Sequence, residues 1–174
     1  MLQSGGIIAY PTEAVYGLGC SPLDYDAVSR ILRIKRRDLE KGLIVVAASP
    51  LQLIPYVDFS DDSLPQILAS WPGPVTWLVP AKLHTPDWLT GRHNTLAVRV
   101  SAHPVVHALC SVSGPLVSTS ANPEGYLPAR TPARVRSYFK TSIDYILPGK
   151  TGPQRQPTEI RMASTDCIIR QACR

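Results

Sequence analysis

Three short segments of the sequence carry side chains that suit the binding of a phosphate-bearing ligand. The first segment, Thr12 to Tyr16, supplies a hydroxyl, a carboxylate and a phenol directly after an apolar run that stops at Pro11. The second, Arg30 to Lys41, contains six lysines and arginines within twelve positions. The third, Ser118 to Asn122, is rich in hydroxyls and ends on an amide. Lysine and arginine neutralise phosphate charge, whereas hydroxyls and amides orient the phosphate group.

Each of these features also fits a purely structural role. Thr12 to Tyr16 is typical of a strand-to-helix turn whose polar groups satisfy the backbone. Lys35 and its basic neighbours would be favoured by the dipole at the end of a helix. Arg99 is the one charge in the apolar run Leu96 to Val100, and a charge in a strand usually points to solvent. The residue types alone therefore leave both interpretations open.

Several common chemistries are excluded by the motifs that the sequence lacks. There is no G-x-x-x-x-G-K-[ST] phosphate loop, no third glycine after Gly17-Leu18-Gly19 and no G-x-S-x-G. His103 and His107 have the spacing of two metal ligands on a helix, but no glutamate lies between them. Aromatic residues, which stack on bases, make up only 7% of the sequence, so a dedicated RNA-reading module is weakly supported. The four cysteines form no C-x-x-C pair and are interpreted as reduced thiols: Cys20, Cys110, Cys167 and Cys173.

The sequence predicts strands that alternate with helices, and these elements must position the residues named above. Such alternation is typical of an α/β layered sheet. Apolar runs predict strands at 6–10, 43–48, 75–80, 96–100, 116–118, 145–147 and 167–170. Caps and apolar stripes predict helices at 24–35, 50–56, 61–70, 103–112 and 131–139, with loops at 83–94 and 150–157. Asp58, Asp61 and Asp62 are expected to cap the third helix. Short connections leave room for antiparallel pairs.

The length of 174 residues predicts one domain, residues 1–174, with a hydrophobic core. No apolar run approaches the roughly 20 residues that span a bilayer, and the start lacks the features of a signal peptide. We therefore expect a cytoplasmic protein without a membrane partner. The net charge of +5 is consistent with an anionic partner.

Five motifs, in order, resemble the YrdC-like family of threonylcarbamoyl-AMP synthases, and most closely its short bacterial TsaC branch. The motifs are Y-P-T-E-A-V-Y-G-L-G, I-K-R-R with K-G-L-I-V-V after it, W-P-G-P-V-T, T-L-A-V-R-V and S-T-S-A-N. The resemblance extends from Gly6 to about Arg170. It implies a single-domain twisted open sheet of mixed parallel and antiparallel strands, flanked by helices, with a concave basic ligand cleft. It also implies a synthase unit without the second domain of longer relatives.

The resemblance implies a nucleotidyltransferase that combines L-threonine, bicarbonate or CO2, and ATP into threonylcarbamoyl-adenylate and pyrophosphate. Other proteins would then transfer the threonylcarbamoyl group to the adenosine next to the tRNA anticodon. Mg²⁺ is expected to accompany ATP, held mainly by phosphates and water. The alternative is a non-catalytic maturation factor that binds double-stranded RNA, tRNA or rRNA through the same basic surface. Binding of tRNA or double-stranded RNA is expected as a possibility for the synthase as well as for the maturation factor.

Site roles follow from the same resemblance. The K-x-R and S-x-N motifs fall on four residues with expected catalytic roles, Lys35, Arg37, Ser120 and Asn122. L-threonine and bicarbonate are expected to contact Thr12, Tyr16, Arg99, Ser118 and Thr158. ATP is expected to contact Lys35, Arg37, Lys41, Thr95, Ser120 and Arg170. Four positions depart from the pattern of the family: Ala14 and Val46 replace Thr and His of longer members, Asp38 replaces proline, and Thr158 replaces serine.

Overall fold

In the computed structural model, which describes residues 1–60, 62–154 and 158–170, nine strands form one mixed sheet. The strands are β1 (Ile8–Pro11), β2 (Tyr16–Gly19), β3 (Ile44–Ala47), β4 (Thr76–Pro80), β5 (Thr95–Val100), β6 (Leu116–Ser120), β7 (Tyr145–Ile146), β8 (Ile160–Met162) and β9 (Ile168–Arg170). Their order across the sheet is β7-β1-β2-β6-β3-β5-β4-β8-β9.

The pairing of the strands confirms the mixed sheet. Three pairs are parallel: β1 with β7, β3 with β5, and β4 with β8. The other neighbours, including β6 with both β2 and β3, run antiparallel. Strand β6 therefore joins the β1–β2 hairpin to the rest of the sheet, and this junction brings the ends of three strands to one place.

Five α-helices flank the sheet in the described residues: α1 (Tyr25–Lys35), α2 (Leu64–Ser70), α3 (Asp87–Thr90), α4 (Pro104–Ser113) and α5 (Pro132–Phe139). Helix α1 begins as the sequence predicts, because the Asp24 carboxylate accepts a hydrogen bond of 2.9 Å from the backbone N–H of Ala27. Short 3₁₀ turns lie at Leu2–Ser4, Leu39–Lys41 and Pro50–Leu53.

Helices cover both faces of the sheet, so alternate residues of β3 enter different hydrophobic clusters. Val45 and Ala47 lie in the larger cluster with residues of α1 and α5. Val46 lies in the smaller cluster, against Val106 and Cys110 of α4. This alternation follows the two-residue period of a strand. The α/β class with a sheet flanked by helices is confirmed.

Several local predictions were wrong. Residues 12–15 connect two antiparallel strands rather than a strand and a helix, and β2 and β8 were not predicted. The predicted loop at 83–94 contains the short helix α3. Helix α2 begins after Ser63, and the carboxylate of Asp58 instead pairs with Lys82 at 3.7 Å. Asp61, Cys173 and part of the predicted polar loop at 150–157 lie outside the described residues.

Within the described ranges, no helix combines the length and the apolar character needed to cross a membrane.

Candidate functional site

A cavity of about 140 Å³ opens where the β1–β2 turn, the end of β6 and the C-terminal part of β5 meet. Its wall is mixed, because hydroxyls and guanidinium groups share it with the apolar side chains of Val15, Leu43 and Ile44. The residues that line it include Thr12, Ala14, Tyr16, Gly17, Arg37, Arg99, Ser118, Ser120, Thr158 and Arg170. Strand pairing explains this convergence: Gly17 of β2 lies opposite Ser120, and Ile44 of β3 lies opposite Ser118.

Arg99 lies in the wall of this small cavity and is only 4% exposed. Its Nη1 donates to the Thr158 hydroxyl at 2.7 Å and to the Thr76 hydroxyl at 3.4 Å. Its Nη2 lies 3.5 Å from the Glu13 carboxylate. Its buried Nε has no hydrogen-bond partner among the described residues. Because an unsatisfied buried donor is costly, Arg99 is set up to receive a further acceptor.

Glu13 is the counter-charge of Arg99, a role that sequence reasoning missed. The hydroxyl of Ser101 donates to its Oε1 at 2.6 Å, while Oε2 has no hydrogen-bond partner in the described part of the chain. Burial favours a higher pKa for Glu13, but the charge of Arg99 and the Ser101 hydrogen bond outweigh burial and lower that pKa below its ordinary value. Glu13 is therefore ionised at neutral pH and holds the inner end of Arg99.

Two further arginines bring excess positive charge to the small cavity. Arg170 donates from Nε and Nη2 to the backbone oxygen of Thr158, at 3.2 and 2.7 Å. Arg170 is exposed overall, but partial desolvation of its guanidinium lowers its pKa, and the nearby charges of Arg99 and Arg37 lower it further. Glu13 balances one of the three guanidinium charges. The cavity therefore favours an anionic ligand.

A larger cleft of about 720 Å³ adjoins the small cavity, and both are lined by Arg37 and Arg170. Much of its wall is apolar, as is common in clefts that bind small molecules. The apolar wall comprises Leu43, Ile44, Leu78, Pro80, Leu89, Ala97, Ile160, Met162 and Ile169. Thr95 and Lys41 supply polar groups to the same cleft.

A third cavity, of about 150 Å³, is lined by Lys35, Arg37, Ser120, Asn122, Glu124 and Gly125. The Lys35 ammonium donates to the backbone oxygens of Ser120 and Asn122, the latter at 2.6 Å, and so ties the end of α1 to the turn after β6. Burial and the charge of Arg37 lower the pKa of Lys35 to about 8. Arg37 lines all three cavities, and its Nη2 donates to the Gly42 oxygen at 3.0 Å.

The amide of Asn122 is oriented by its own turn. Its Nδ2 donates to the backbone oxygens of Pro123 and Tyr126, at 3.0 and 2.7 Å. Its buried Oδ1 has no partner within the described ranges. The S-x-N segment therefore offers one acceptor atom beside the cations of the third cavity.

The segment 147–154, here called the strap, packs over the β1–β2 turn. The Tyr16 hydroxyl donates to the backbone oxygen of Gly149 at 2.7 Å. The N–H of Gly152 donates to the Thr12 oxygen at 2.9 Å, and the Thr12 hydroxyl closes its own turn on the Val15 oxygen at 2.7 Å. The polar groups of Thr12 and Tyr16 therefore shape the wall of the small cavity through the backbone.

All twelve residues with expected site roles line one of these three adjoining cavities. Lys41 is engaged in an ion pair with Glu124, which the sequence did not indicate. Asp38 caps the next turn by accepting from the N–H of Glu40 at 2.9 Å, so its charge has a structural partner. In the described ranges, no cluster of three or more His, Cys, Asp or Glu residues could hold a metal ion.

Comparisons with known proteins point to one family. A family model described as "Telomere recombination", which covers Sua5, YciO and YrdC proteins, matches residues 1–172. Threonylcarbamoyl-AMP synthase of Pseudomonas aeruginosa strain PAO1 is 51% identical over 99% of this chain and 94% of that protein. The protein of the same name from Pseudomonas fluorescens strain Pf0-1 is 49% identical over 98% of this chain and 93% of that protein.

Solved structures show the same fold. P. abyssi Sua5 complexed with L-threonine matches with a TM-score of 0.87 and 31% identity, over 92% of this chain. The match covers 48% of the Sua5 chain, so this chain spans about half of that protein. E. coli YciO matches with a TM-score of 0.86 over 98% of this chain and 84% of that one, at 24% identity.

Proposed function

The chain belongs to the Sua5/YciO/YrdC family, and we propose that it is a threonylcarbamoyl-AMP synthase that makes threonylcarbamoyl-adenylate and pyrophosphate from L-threonine, bicarbonate and ATP. The observation that carries the proposal is the junction at Arg37, where a small cavity rich in arginines and hydroxyls, a larger and mainly apolar cleft, and a cationic cavity adjoin. Three adjoining compartments would give separate places to the amino acid, the adenosine and the phosphates of a reaction that unites an amino acid with a nucleotide and releases pyrophosphate.

L-threonine and bicarbonate are assigned to the small cavity. The threonine carboxylate would accept from Arg99, whose Nε lacks a partner within the described ranges, and the hydroxyls of Ser118 and Thr158 would orient the remaining polar groups. The volume of about 140 Å³ suits a small amino acid. P. abyssi Sua5, whose solved structure contains L-threonine, supports this assignment.

ATP is assigned to the other two cavities. The apolar wall of the large cleft would receive the adenine ring, with Thr95 nearby. Arg37 and Arg170, which line both the large and the small cavity, would hold the α-phosphate beside threonine. Lys35 and the Ser120 hydroxyl would contact the terminal phosphates in the third cavity, with Lys41 at the edge of the large cleft as a further cation. Asn122 offers only its acceptor Oδ1 there, which would face a Mg²⁺ ion or a water molecule that accompanies the phosphates.

The chemistry consists of two bond-forming steps. The neutral threonine amine forms a bond to the carbon of bicarbonate and water leaves, which gives a carbamate. A carbamate oxygen then forms a bond to the α-phosphorus of ATP, while the bond from that phosphorus to the pyrophosphate oxygen breaks. Arg37 and Arg170 would neutralise charge on the α-phosphate as it is attacked, so catalysis depends on alignment and electrostatics rather than on a covalent intermediate.

Mg²⁺ fits this arrangement as a companion of ATP. The third cavity contains one carboxylate, Glu124, together with Lys35 and Arg37, a donor set that suits phosphate rather than a metal cage. We infer that phosphates and water hold the ion, which would neutralise phosphate charge. We further infer that the protein acts in the cytoplasm, and that separate transferase proteins carry the threonylcarbamoyl group to tRNA.

The decisive experiment measures pyrophosphate release from ATP in the presence of Mg²⁺ and bicarbonate, with and without L-threonine. Release that depends on threonine and falls sharply with L-serine supports the synthase. A folded protein that binds RNA but releases no pyrophosphate under these conditions would instead favour the maturation factor without catalytic activity.

A further inference from the structure

Glu124 is a carboxylate in a cavity that is otherwise cationic. It lines the third cavity with Lys35 and Arg37, and its carboxylate forms an ion pair with the ammonium of Lys41. The hydrogen bond from Lys41, the charge of Lys41 and the charge of Arg37 keep the pKa of Glu124 below its ordinary value. The carboxylate is therefore ionised throughout the neutral range.

The backbone and the side chain of Glu124 are held differently. Its backbone N–H donates to the Lys35 oxygen at 2.8 Å, which fixes the residue to the end of α1. The two side chains of the ion pair are about half exposed, at 49% for Lys41 and 52% for Glu124. A half-exposed ion pair exchanges partners at low cost, because water and salt compete for both charges. The carboxylate can therefore leave Lys41 by rotation of its side chain alone.

We propose that Glu124 is an internal counter-anion. Its carboxylate is paired with the Lys41 ammonium in the free protein, and it leaves Lys41 when the terminal phosphates of ATP enter the third cavity. The proposal rests on the proposed function, because it takes this cavity as the subsite for pyrophosphate. After the reaction, the carboxylate returns to Lys41 and opposes retention of the product. Glu124 would thus weaken the binding of pyrophosphate more than it slows the reaction.

The matched variant is Glu124→Gln, which keeps the size and hydrogen-bonding reach of the side chain and removes its charge. Binding of inorganic pyrophosphate, measured by calorimetry with and without Mg²⁺, should tighten by about two- to fivefold, the range that exposed ion pairs contribute. The KM for ATP should fall by a similar factor. Asp58→Asn, which removes the charge of an exposed ion pair with Lys82, should change neither quantity.

A double-mutant cycle identifies the partner of Glu124. In a Lys41→Met background, Glu124→Gln should no longer tighten pyrophosphate binding, because the carboxylate then has no ammonium to occupy. A gain of the same size in that background would overturn the proposal, since the charge would then act through the general field of the cavity. Unchanged or weaker binding by Glu124→Gln alone would also overturn it, because Glu124 would then serve to position Lys41.

The same variants separate this proposal from the assignment of the reaction. Threonine-dependent release of pyrophosphate by the wild-type protein tests the synthase, whereas direct binding of pyrophosphate tests Glu124. An active wild-type enzyme with no tightening in Glu124→Gln rejects the counter-anion and keeps the synthase. An inactive wild-type protein rejects the synthase, and with it the subsite on which the counter-anion rests.

Discussion

At the residue scale, unsatisfied buried atoms mark the proposed ligand positions. Arg37 Nε and Arg99 Nε are buried donors without hydrogen-bond partners in the described part of the chain, and both arginines line the small cavity. Folded proteins rarely leave such atoms unpaired, because each costs about 1–3 kcal/mol. An anionic ligand in the small cavity would supply the acceptors that these two donors lack.

Arg37→Ala tests the residue that all three cavities share. We expect kcat/KM for ATP to fall by about 10²-fold, since a group that stabilises charge at the reacting phosphorus is lost. The free energy of unfolding should fall by only about 1 kcal/mol, because the side chain makes one backbone hydrogen bond in the described structure. Steady-state kinetics and urea denaturation measure the two quantities.

Arg33→Ala is the matched control for Arg37→Ala, because Arg33 is an exposed arginine in the last turn of α1. It should change kcat/KM for ATP by less than about twofold. Full ATP turnover by Arg37→Ala, or an equal loss in both variants, would refute the assignment of Arg37.

Glu13→Gln tests the buried pair with Arg99. At pH 7 the free energy of unfolding should fall by about 3 kcal/mol, because Arg99 loses its counter-charge in a buried position. The folded-state pKa of Glu13 is lowered, so its contribution is complete above the ordinary carboxyl pKa of 4.5 and is lost as pH falls through the lower, folded value. The difference between wild type and variant should therefore shrink as the pH falls below about 4.5.

Ser101→Ala is the companion variant of Glu13→Gln, because it removes one hydrogen bond of the same carboxylate and keeps its charge. Its cost should be smaller, about 1 kcal/mol. Urea denaturation at several pH values measures both variants. A difference between wild type and Glu13→Gln that persists unchanged at low pH would show that ionisation of Glu13 does not contribute.

At the element scale, the sequence predicted elements with local signals and missed those without them. Helix α1 was predictable because Asp24 caps an apolar stripe. Strand β2 was not, because two of its four residues are glycines, which weaken the strand pattern. Strand β8 has three residues, too few to show a period.

The side chains that pair with one another around the site could not be predicted from the sequence either. Glu13 and Ser101 lie 88 positions apart, and the fold alone brings them together. The resemblance to a family, rather than the local pattern, indicated that Arg99 faces a ligand. The resemblance thus named residues that line the three cavities, and their roles stay predictions, whereas the side chains that hold those residues could not be predicted.

A single added methyl group at Gly152 should shift the strap. A Cβ at Gly152 would lie 2.5 Å from the backbone oxygen of Glu13 and 2.9 Å from its Cα. Backbone atoms cannot yield as a flexible side chain does, so Gly152→Ala should displace the strap from the β1–β2 turn. We expect destabilisation by about 1–3 kcal/mol and a KM for threonine raised about tenfold.

Lys150→Ala is the control for Gly152→Ala, since the Lys150 side chain is exposed on the same strap. It should leave the KM for threonine within about twofold of the wild-type value. Threonine titrations of both variants, with thermal melting to follow stability, make the comparison. Unchanged threonine kinetics in a destabilised Gly152→Ala would show that the strap supports the fold without shaping the small cavity.

At the scale of the whole molecule, the mixed sheet explains why three cavities adjoin. Strand β6 pairs with β2 on one side and β3 on the other, so the turn after β6 meets the end of α1 and the β1–β2 turn. The sequence predicted the class of sheet from alternating strands and helices. It could not give the order of the strands, because antiparallel and parallel neighbours follow from contacts between distant segments. The prediction of one domain over residues 1–174 stays a prediction.

The dependence of ligand binding on salt concentration distinguishes the synthase from an RNA-binding protein. Arg99 is buried, and its contact with a bound carboxylate would be screened little by salt, whose Debye length is about 8 Å at physiological ionic strength. The KM for threonine should therefore change by less than about twofold between roughly 50 and 200 mM salt. An RNA held by six or more phosphate contacts would lose about 10³-fold in affinity over the same range.

Threonine kinetics and binding of a double-stranded RNA, measured on the same preparation at both salt concentrations, give the comparison. Saturating ATP and threonine should leave RNA affinity unchanged if RNA binds to exposed cations elsewhere on the surface. They should displace RNA if it occupies the cleft itself. A KM for threonine that rises with salt as steeply as RNA affinity falls would contradict a buried arginine as the partner of the carboxylate. That result would also favour RNA binding by the exposed lysines and arginines as the function.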